Sequence, residues 1–309
     1  MSYNTIMVAF NKKVLSNGLT VIHEKRDVPV TTVMMAVRYG AMFETKEEKG
    51  IAHFMEHLCF KGTDKRNAHE IAHALEKVGG DLNAFTHEEM TAYHVKLPSK
   101  HLELGIDVIS DIFFNPTFPE EEVQKEANVI CEEIKMYRDN PRAHTLENIK
   151  ANLYAAPFGM FTAGTEEIIK GISRDQILAK HRELYIPKNA VLCVVGNNEF
   201  EDVVRLAERY ASLTREGTVL ADTLDVTTHI EKTSETRADV MQSNVAIGFH
   251  LPMQNKKDEY TALLFNTILG DGMSSKLFSE VREKRGLVYT VKSDSDIGRN
   301  YAYMIIFAG

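Results

Sequence analysis

The sequence has little cysteine, no excess of positive charge and no long apolar run, and each absence excludes a class of protein. Its three cysteines, Cys59, Cys131 and Cys193, are odd in number and widely spaced, so they indicate neither a disulfide framework nor a Cys-x-x-Cys zinc knuckle. The net charge of −8 argues against a nucleic-acid binder, because such a protein needs a basic face to neutralise phosphates.

The sequence also contains no candidate membrane segment. No stretch approaches the ~18 apolar residues of a membrane span, and the first residues lack the basic start and apolar run of a secretory signal. With thiols that are expected to be reduced, we predict a cytoplasmic protein that does not contact membranes. The chain of 309 residues, 44% hydrophobic and 26% charged, is long enough for about two soluble domains.

Predicted strands and helices are mixed along the chain, which favours an α+β fold. We predict a first domain at 1–215, a polar linker at 216–236 and the start of a second domain at 237–309. After the linker, the strand–helix–helix–strand–strand order that ends at Leu97 begins again. Because the chain stops at Gly309, directly after a predicted strand, we expect the second domain to be incomplete here.

Two short motifs place a pair of histidines and a glutamate on one helix. Residues 53–57 read His-Phe-Met-Glu-His and residues 69–73 read His-Glu-Ile-Ala-His, the inverted and the standard zinc-peptidase patterns. The helix that carries the first motif is apolar on every side except for a stripe of His53, Glu56 and His57, which indicates burial. Buried polar groups need partners, and a metal ion would satisfy these. The second motif lies opposite an apolar stripe, so we interpret it as a solvated face and a chance match.

A third, distant ligand is required, and a catalytic site also keeps one coordination position open. The helix predicted at 120–138 offers several glutamates. Glu126 and Glu133 lie along the edge of its apolar stripe, whereas Glu132 faces away. Either Glu126 or Glu133 is therefore the expected ligand, and the residue pattern alone leaves this choice open.

These residues resemble the pitrilysin family of zinc metallopeptidases, especially its branch similar to the mitochondrial processing peptidase. The motifs on which the resemblance rests are His53-x-x-Glu56-His57 and the later segment Glu126-Ala-Asn-Val-Ile-Cys-Glu-Glu133. In that family the third ligand follows the second histidine by about 76 residues, which the resemblance assigns to Glu133. It also implies that Glu56 is the general base and that one Zn²⁺ binds per chain. Glu126 would not bind the metal but would orient a ligand histidine or tune the site.

Further matches imply the fold and the substrate contacts. The segment Asn83-Ala84-Phe85-Thr86 resembles the family's strand that pairs with substrate backbone. The segment from Gly272 that includes Arg282 and Tyr289 resembles its second-domain segment, whose arginine and tyrosine reach the active site. The resemblance therefore implies two related α/β sandwich domains, each a mixed or antiparallel sheet packed by helices, and an endopeptidase that cleaves unstructured peptides.

Three alternatives stay open at this point. Residues 270–276 resemble a phosphate loop but lack its spacing, so a turn that starts a helix is the better interpretation. The family also contains non-catalytic assembly subunits, which usually lack the complete ligand set. Finally, some catalytic subunits need a partner chain that supplies the arginine and tyrosine. Because Arg282 and Tyr289 are present, we expect a homodimer, with a heterodimer with a homologous subunit as the alternative.

Overall fold

A computed structural model describes residues 10–221, 226–238, 240–252 and 255–309. Residues 222–225 of the predicted linker, and the first nine residues, lie outside the described part. The strands are β1 (Phe10–Val14), β2 (Thr20–Lys25), β3 (Val30–Val37), β4 (Asp81–Thr86), β5 (Thr91–Pro98), β6 (Ala190–Gly196), β7 (Val245–His250), β8 (Val291–Ile297) and β9 (Ala302–Ala308).

Helices lie between these strands in the chain. They are α1 (Ile51–Leu58), α2 (Ala68–Glu76), α3 (Leu102–Phe114), α4 (Glu120–Asp139), α5 (Pro141–Leu153), α6 (Glu166–Gly171), α7 (Arg174–Leu184), α8 (Phe200–Tyr210) and α9 (Lys256–Leu269). Helices α3 to α7 follow one another between β5 and β6. Short 3-10 helices lie at Ala41–Phe43, Lys46–Glu48, Ser99–His101 and Pro187–Asn189. None of the helices in the described ranges is both long and apolar enough to span a bilayer.

A six-stranded mixed sheet forms the core of the first unit. Its strand order is β1-β2-β6-β3-β5-β4, with β2 and β6 parallel and the other neighbours antiparallel. Side chains along β3 alternate between buried and partly exposed, as expected for a strand with one face on the core. Helix α3 packs on β3 and β5, while α1 packs on β4 and β5. This arrangement confirms the predicted α+β class, and it leaves β4 at an edge of the sheet.

The second unit contains a three-stranded antiparallel sheet of order β7-β9-β8. Helix α5 packs on β7 and α9 packs on β8. The segment Phe278–Glu283, between α9 and β8, is a π-helix. Its backbone bonds reach five residues back, as from Lys284 N to Ser279 O at 3.0 Å.

Packing divides the chain differently from the predicted domain boundaries. One compact unit comprises the residues up to 44 together with 50–130 and 167–220, and the other comprises 45–49, 131–166 and 221–309. Residues 131–166 thus group with the C-terminal residues, since α5 packs on β7 within that unit. The domain boundaries at 1–215, 216–236 and 237–309 stay a prediction.

Acid should destabilise the first unit through His181, a fully buried residue of α7 whose Nε2–H donates to the carbonyl of Phe113 at 2.9 Å. Burial lowers the pKa of His181 from 6.5 to about 3. Between these pH values His181 is protonated in the unfolded chain but not in the folded chain. The free energy of unfolding is therefore undiminished above pH 6.5 and falls as the pH drops below it. Going from about pH 7 to about pH 5 should cost roughly 2 kcal/mol from this residue.

The measurement is the urea midpoint against pH, with chelator in every sample. The variant His181→Gln keeps a hydrogen-bond donor but does not titrate, and should show a shallower loss below pH 6.5. The exposed residue His69 supplies the control, His69→Gln, whose curve should follow the wild type. Equal slopes for His181→Gln and wild type would contradict the assignment.

Candidate metal centre

Helix α1 is held at its start by a glycine and a buried carboxylate. Gly50 precedes the helix with φ of 99°, a left-handed conformation that favours glycine. The Glu44 carboxylate accepts hydrogen bonds from the backbone N–H groups of Gly50 (3.1 Å) and Ala52 (2.8 Å). Glu44 therefore satisfies donors that the first turn leaves unpaired, and its negative charge suits the helix N-terminus.

Burial along α1 follows the predicted pattern. The apolar residues Ile51, Ala52, Phe54, Met55 and Leu58 are buried. The three remaining residues, His53, Glu56 and His57, are half-buried and form the polar stripe. The Nε2 atoms of His53 and His57 lie 3.3 Å apart. Burial, and then the neighbouring His57, lower the pKa of His53 to about 4, so its imidazole is neutral at ordinary pH.

Helix α4 brings a carboxylate to this pair. One ligand atom from each of His53, His57 and Glu133 lies within 4.8 Å of the others. Within the described residues, this is the one group of three or more metal-binding side chains that comes together in this way. Glu132, the adjacent residue, is 73% exposed and pairs with Lys135 instead.

Glu126 contacts Nδ1 of His57, the ring nitrogen that does not face His53. Its Oε2 accepts from Nδ1–H of His57 at 3.1 Å, and its Oε1 lies 2.6 Å from Nζ of Lys61. Burial alone would raise the pKa of Glu126, but the hydrogen bonds from His57 and Lys61 outweigh it and lower the pKa below the usual value. A proton on Nδ1 leaves the lone pair of His57 on Nε2, the atom that faces His53.

The donor set fits zinc. Two nitrogen ligands at about 2.0–2.1 Å from a tetrahedral zinc lie about 3.3–3.4 Å from each other, which matches the separation of the two Nε2 atoms. The Glu133 oxygen needs a side-chain adjustment of about 1.5 Å at most to complete such a set. Two imidazoles and one carboxylate also leave a fourth position for a water or a substrate oxygen, as catalytic zinc sites require.

Glu56 is held by the edge strand. The hydroxyl of Thr86, the last residue of β4, donates to Glu56 Oε2 at 2.6 Å. The predicted substrate-pairing residues Asn83, Ala84 and Phe85 lie on the same strand, which pairs on one side with β5 and forms the edge of the sheet. The backbone N–H of Ala84 donates to Oδ1 of Asn83 at 2.8 Å.

Arg282 and Tyr289 come together within the second unit. The Arg282 guanidinium lies 5.4 Å from the centre of the Tyr289 ring, which is a cation–π contact, and 4.7 Å from that of Phe278. Tyr289 is 77% exposed, so its hydroxyl is accessible.

The second histidine motif forms no such cluster. His69 and His73 are exposed on α2, as expected, and their rings stack at 5.8 Å. The carboxylate of Glu70, between them, accepts from the backbone N–H of Asn67 in a capping box at the helix start.

The site contacts of three residues, Glu44, Lys61 and Thr86, were not predicted from the sequence. Each of them contacts a motif residue or helix α1, and no local sequence pattern predicts these contacts. Thr86 lies 30 residues from Glu56 in the chain. Only Thr86 could have been suspected from the sequence, because it is the last residue of the segment 83–86 that resembles the substrate-pairing strand.

Comparisons with known proteins identify the family of the chain. A family model described as Insulinase (Peptidase family M16) matches residues 19–166, and one described as Peptidase M16 inactive domain matches residues 171–309. An uncharacterized zinc protease, YmxG, of Bacillus subtilis is 33% identical over 297 residues, which covers 95% of this chain and 72% of that protein. The chain belongs to the pitrilysin (M16) family of zinc metallopeptidases.

Other known proteins are similarly related. An uncharacterized zinc protease of Rickettsia felis is 32% identical over 302 residues, which covers 97% of this chain and 73% of that protein. The crystal structure of a Helicobacter pylori protease matches with a TM-score of 0.88 at 25% identity, covering 98% of this chain and 75% of that one. An M16 structure from Pseudomonas fluorescens, at 21% identity and a TM-score of 0.85, shows the same fold.

Adjacent glutamates on α4 allow a matched test of the ligand set. Glu133→Gln should weaken zinc binding by at least about 100-fold, because an amide replaces a charged ligand. Glu132→Gln, one residue earlier on the exposed face, should bind zinc as the wild type does. The dissociation constants are measured by competition with a chromophoric chelator. Equal losses in the two variants, or none in Glu133→Gln, would exclude Glu133 as a ligand.

Proposed function

We propose that this chain is a zinc-dependent endopeptidase that hydrolyses peptide bonds of unstructured peptides and binds one zinc ion per chain. The observation that carries the proposal is the convergence of His53, His57 and Glu133, whose ligand atoms lie within 4.8 Å of one another. The helix of the two histidines, α1, also carries Glu56. Family membership adds support, since relatives in the family carry the name zinc protease.

Glu56 has the chemistry of a general base. When bound, zinc polarises the scissile carbonyl and lowers the pKa of water toward ~7. The Glu56 carboxylate then takes the proton from the attacking water and transfers it to the leaving amine. The Thr86 hydroxyl holds one oxygen of this carboxylate at 2.6 Å and thereby fixes its orientation. Glu126 holds His57 in the tautomer whose Nε2 is available as a ligand.

Substrate would bind as an additional strand on β4. An edge strand offers unpaired backbone groups, and pairing through them depends on backbone shape rather than on side-chain sequence. We assign Asn83, Ala84 and Phe85 to this contact. By family resemblance, Arg282 and Tyr289 are assigned to the substrate and the developing oxyanion, and both side chains carry suitable donors. A homodimer, a heterodimer with a homologous subunit, and a cytoplasmic location stay predictions.

Glu56→Gln tests the catalytic assignment. The amide cannot accept the proton, so turnover of a quenched unstructured peptide should fall by about 10²–10⁴-fold, while zinc content stays at one per chain. Wild type that binds zinc without cleaving any such peptide would favour a catalytic subunit that needs a partner chain. Wild type that binds no zinc would favour an assembly subunit. A Glu56→Gln variant with normal turnover would refute the role of Glu56.

Ala84→Pro tests strand addition. The Ala84 N–H donates here to Oδ1 of Asn83, which an added strand would replace as its acceptor. Proline removes this donor, so KM should rise by roughly tenfold with kcat less affected. Ala84→Ser keeps the N–H and is the matched control. Zinc content should be unchanged in both variants. A KM equal to that of wild type in Ala84→Pro would argue that substrate binds elsewhere.

A further inference from the structure

Lys61 follows the end of α1, and its ammonium contacts Glu126, the carboxylate that accepts from His57. Its ammonium is 2.6 Å from Glu126 Oε1, while the other oxygen of that carboxylate accepts from His57 Nδ1 at 3.1 Å. The Glu126 side chain is only 8% exposed and that of Lys61 28%. The two oxygens of one buried carboxylate are therefore divided between a cation and an imidazole.

This division fixes the direction of the carboxylate. A carboxylate bonded through one oxygen alone can rotate about its terminal bond, since that torsion has a broad energy well. A second, charge-assisted bond on the other oxygen removes this freedom, and such bonds are about twice as strong as neutral ones. With Oε1 held by Lys61, Oε2 is aimed at Nδ1 of His57.

The loop that carries Lys61 is itself anchored. Thr63 Oγ1 and Arg66 Nη1 both donate to Oδ2 of Asp111, each at 2.7 Å, and Arg66 also pairs with Asp107. Asp111 is buried on α3. Lys61 therefore extends from a fixed loop, unlike Lys125 of α4, which is exposed and pairs with Glu122 one turn away.

We propose that Lys61 is a positioning residue of the zinc site: by holding Glu126 it keeps His57 in the Nδ1–H tautomer and its Nε2 directed at the metal. The proposal rests on the zinc site of the proposed function, but not on the peptidase activity. Neutral imidazole has two tautomers, and only the one protonated on Nδ1 offers Nε2 as a ligand. The contribution of Lys61 is thus to metal affinity.

The test is zinc affinity by chelator competition in the full chain at one fixed pH. Lys61→Met keeps the length and apolar stem of the side chain but removes the cation, and should weaken zinc binding by about 10-fold or more. Lys61→Arg restores a cation and should recover most of the affinity. Lys125→Met removes a lysine from an exposed pair on α4 and should bind zinc as the wild type does.

A second measurement can test the proposal on the wild type alone and then on the variant. Nitrogen-15 NMR of the metal-free wild type should show His57 protonated on Nδ1, and Lys61→Met should shift it toward a mixture of tautomers. A wild type with His57 protonated mainly on Nε2, or a folded Lys61→Met that binds zinc as tightly as wild type, overturns the proposal. Wild type that binds no zinc would instead refute the zinc site itself.

Discussion

The burial of helix α1 is the constraint on which the rest of the site depends. Its apolar side chains are buried on every side, so the helix cannot turn its polar stripe to bulk water. Polar groups in that position need partners, and two neighbouring elements supply them. Strand β4 provides the Thr86 hydroxyl to Glu56, and α4 provides the Glu126 carboxylate to His57. Hydrophobic packing thereby determines which polar contacts can form.

Periodicity predicted the parts of this arrangement that depend on one element at a time. The stripe on α1, and the difference between a buried Glu126 and an exposed Glu132, follow from helix geometry and agree with the structure. The choice between Glu126 and Glu133 did not follow, because both lie on the same edge of α4. Contacts of Lys61 and Thr86 were also out of reach, since they depend on how separate elements pack, which no local pattern encodes.

The repeated order of elements, in contrast, is expressed in the topology. Strands β3-β5-β4 in the first sheet and β7-β9-β8 in the second have the same antiparallel order, and in both the central strand comes last in the chain. Sequence identity was too weak to show this, because strand order depends on hydrophobic pattern and connection length more than on residue identity. In the second repeat the helix at the position of α1 is α9, and the metal-binding groups found among the described residues include none on it.

The seven-residue spacing of Glu126 and Glu133 has a physical reason in the shape of imidazole. Seven residues are nearly two helical turns, so the two carboxylates share one side of α4 at about 10.5 Å along its axis. The two nitrogens of His57 point in different directions, one to Glu126 and one to His53. No single carboxylate can bind a metal at Nε2 and also accept from Nδ1. Two glutamates on one helix would do both, so any displacement of α4 would move the proposed ligand Glu133 together with Glu126, which holds His57.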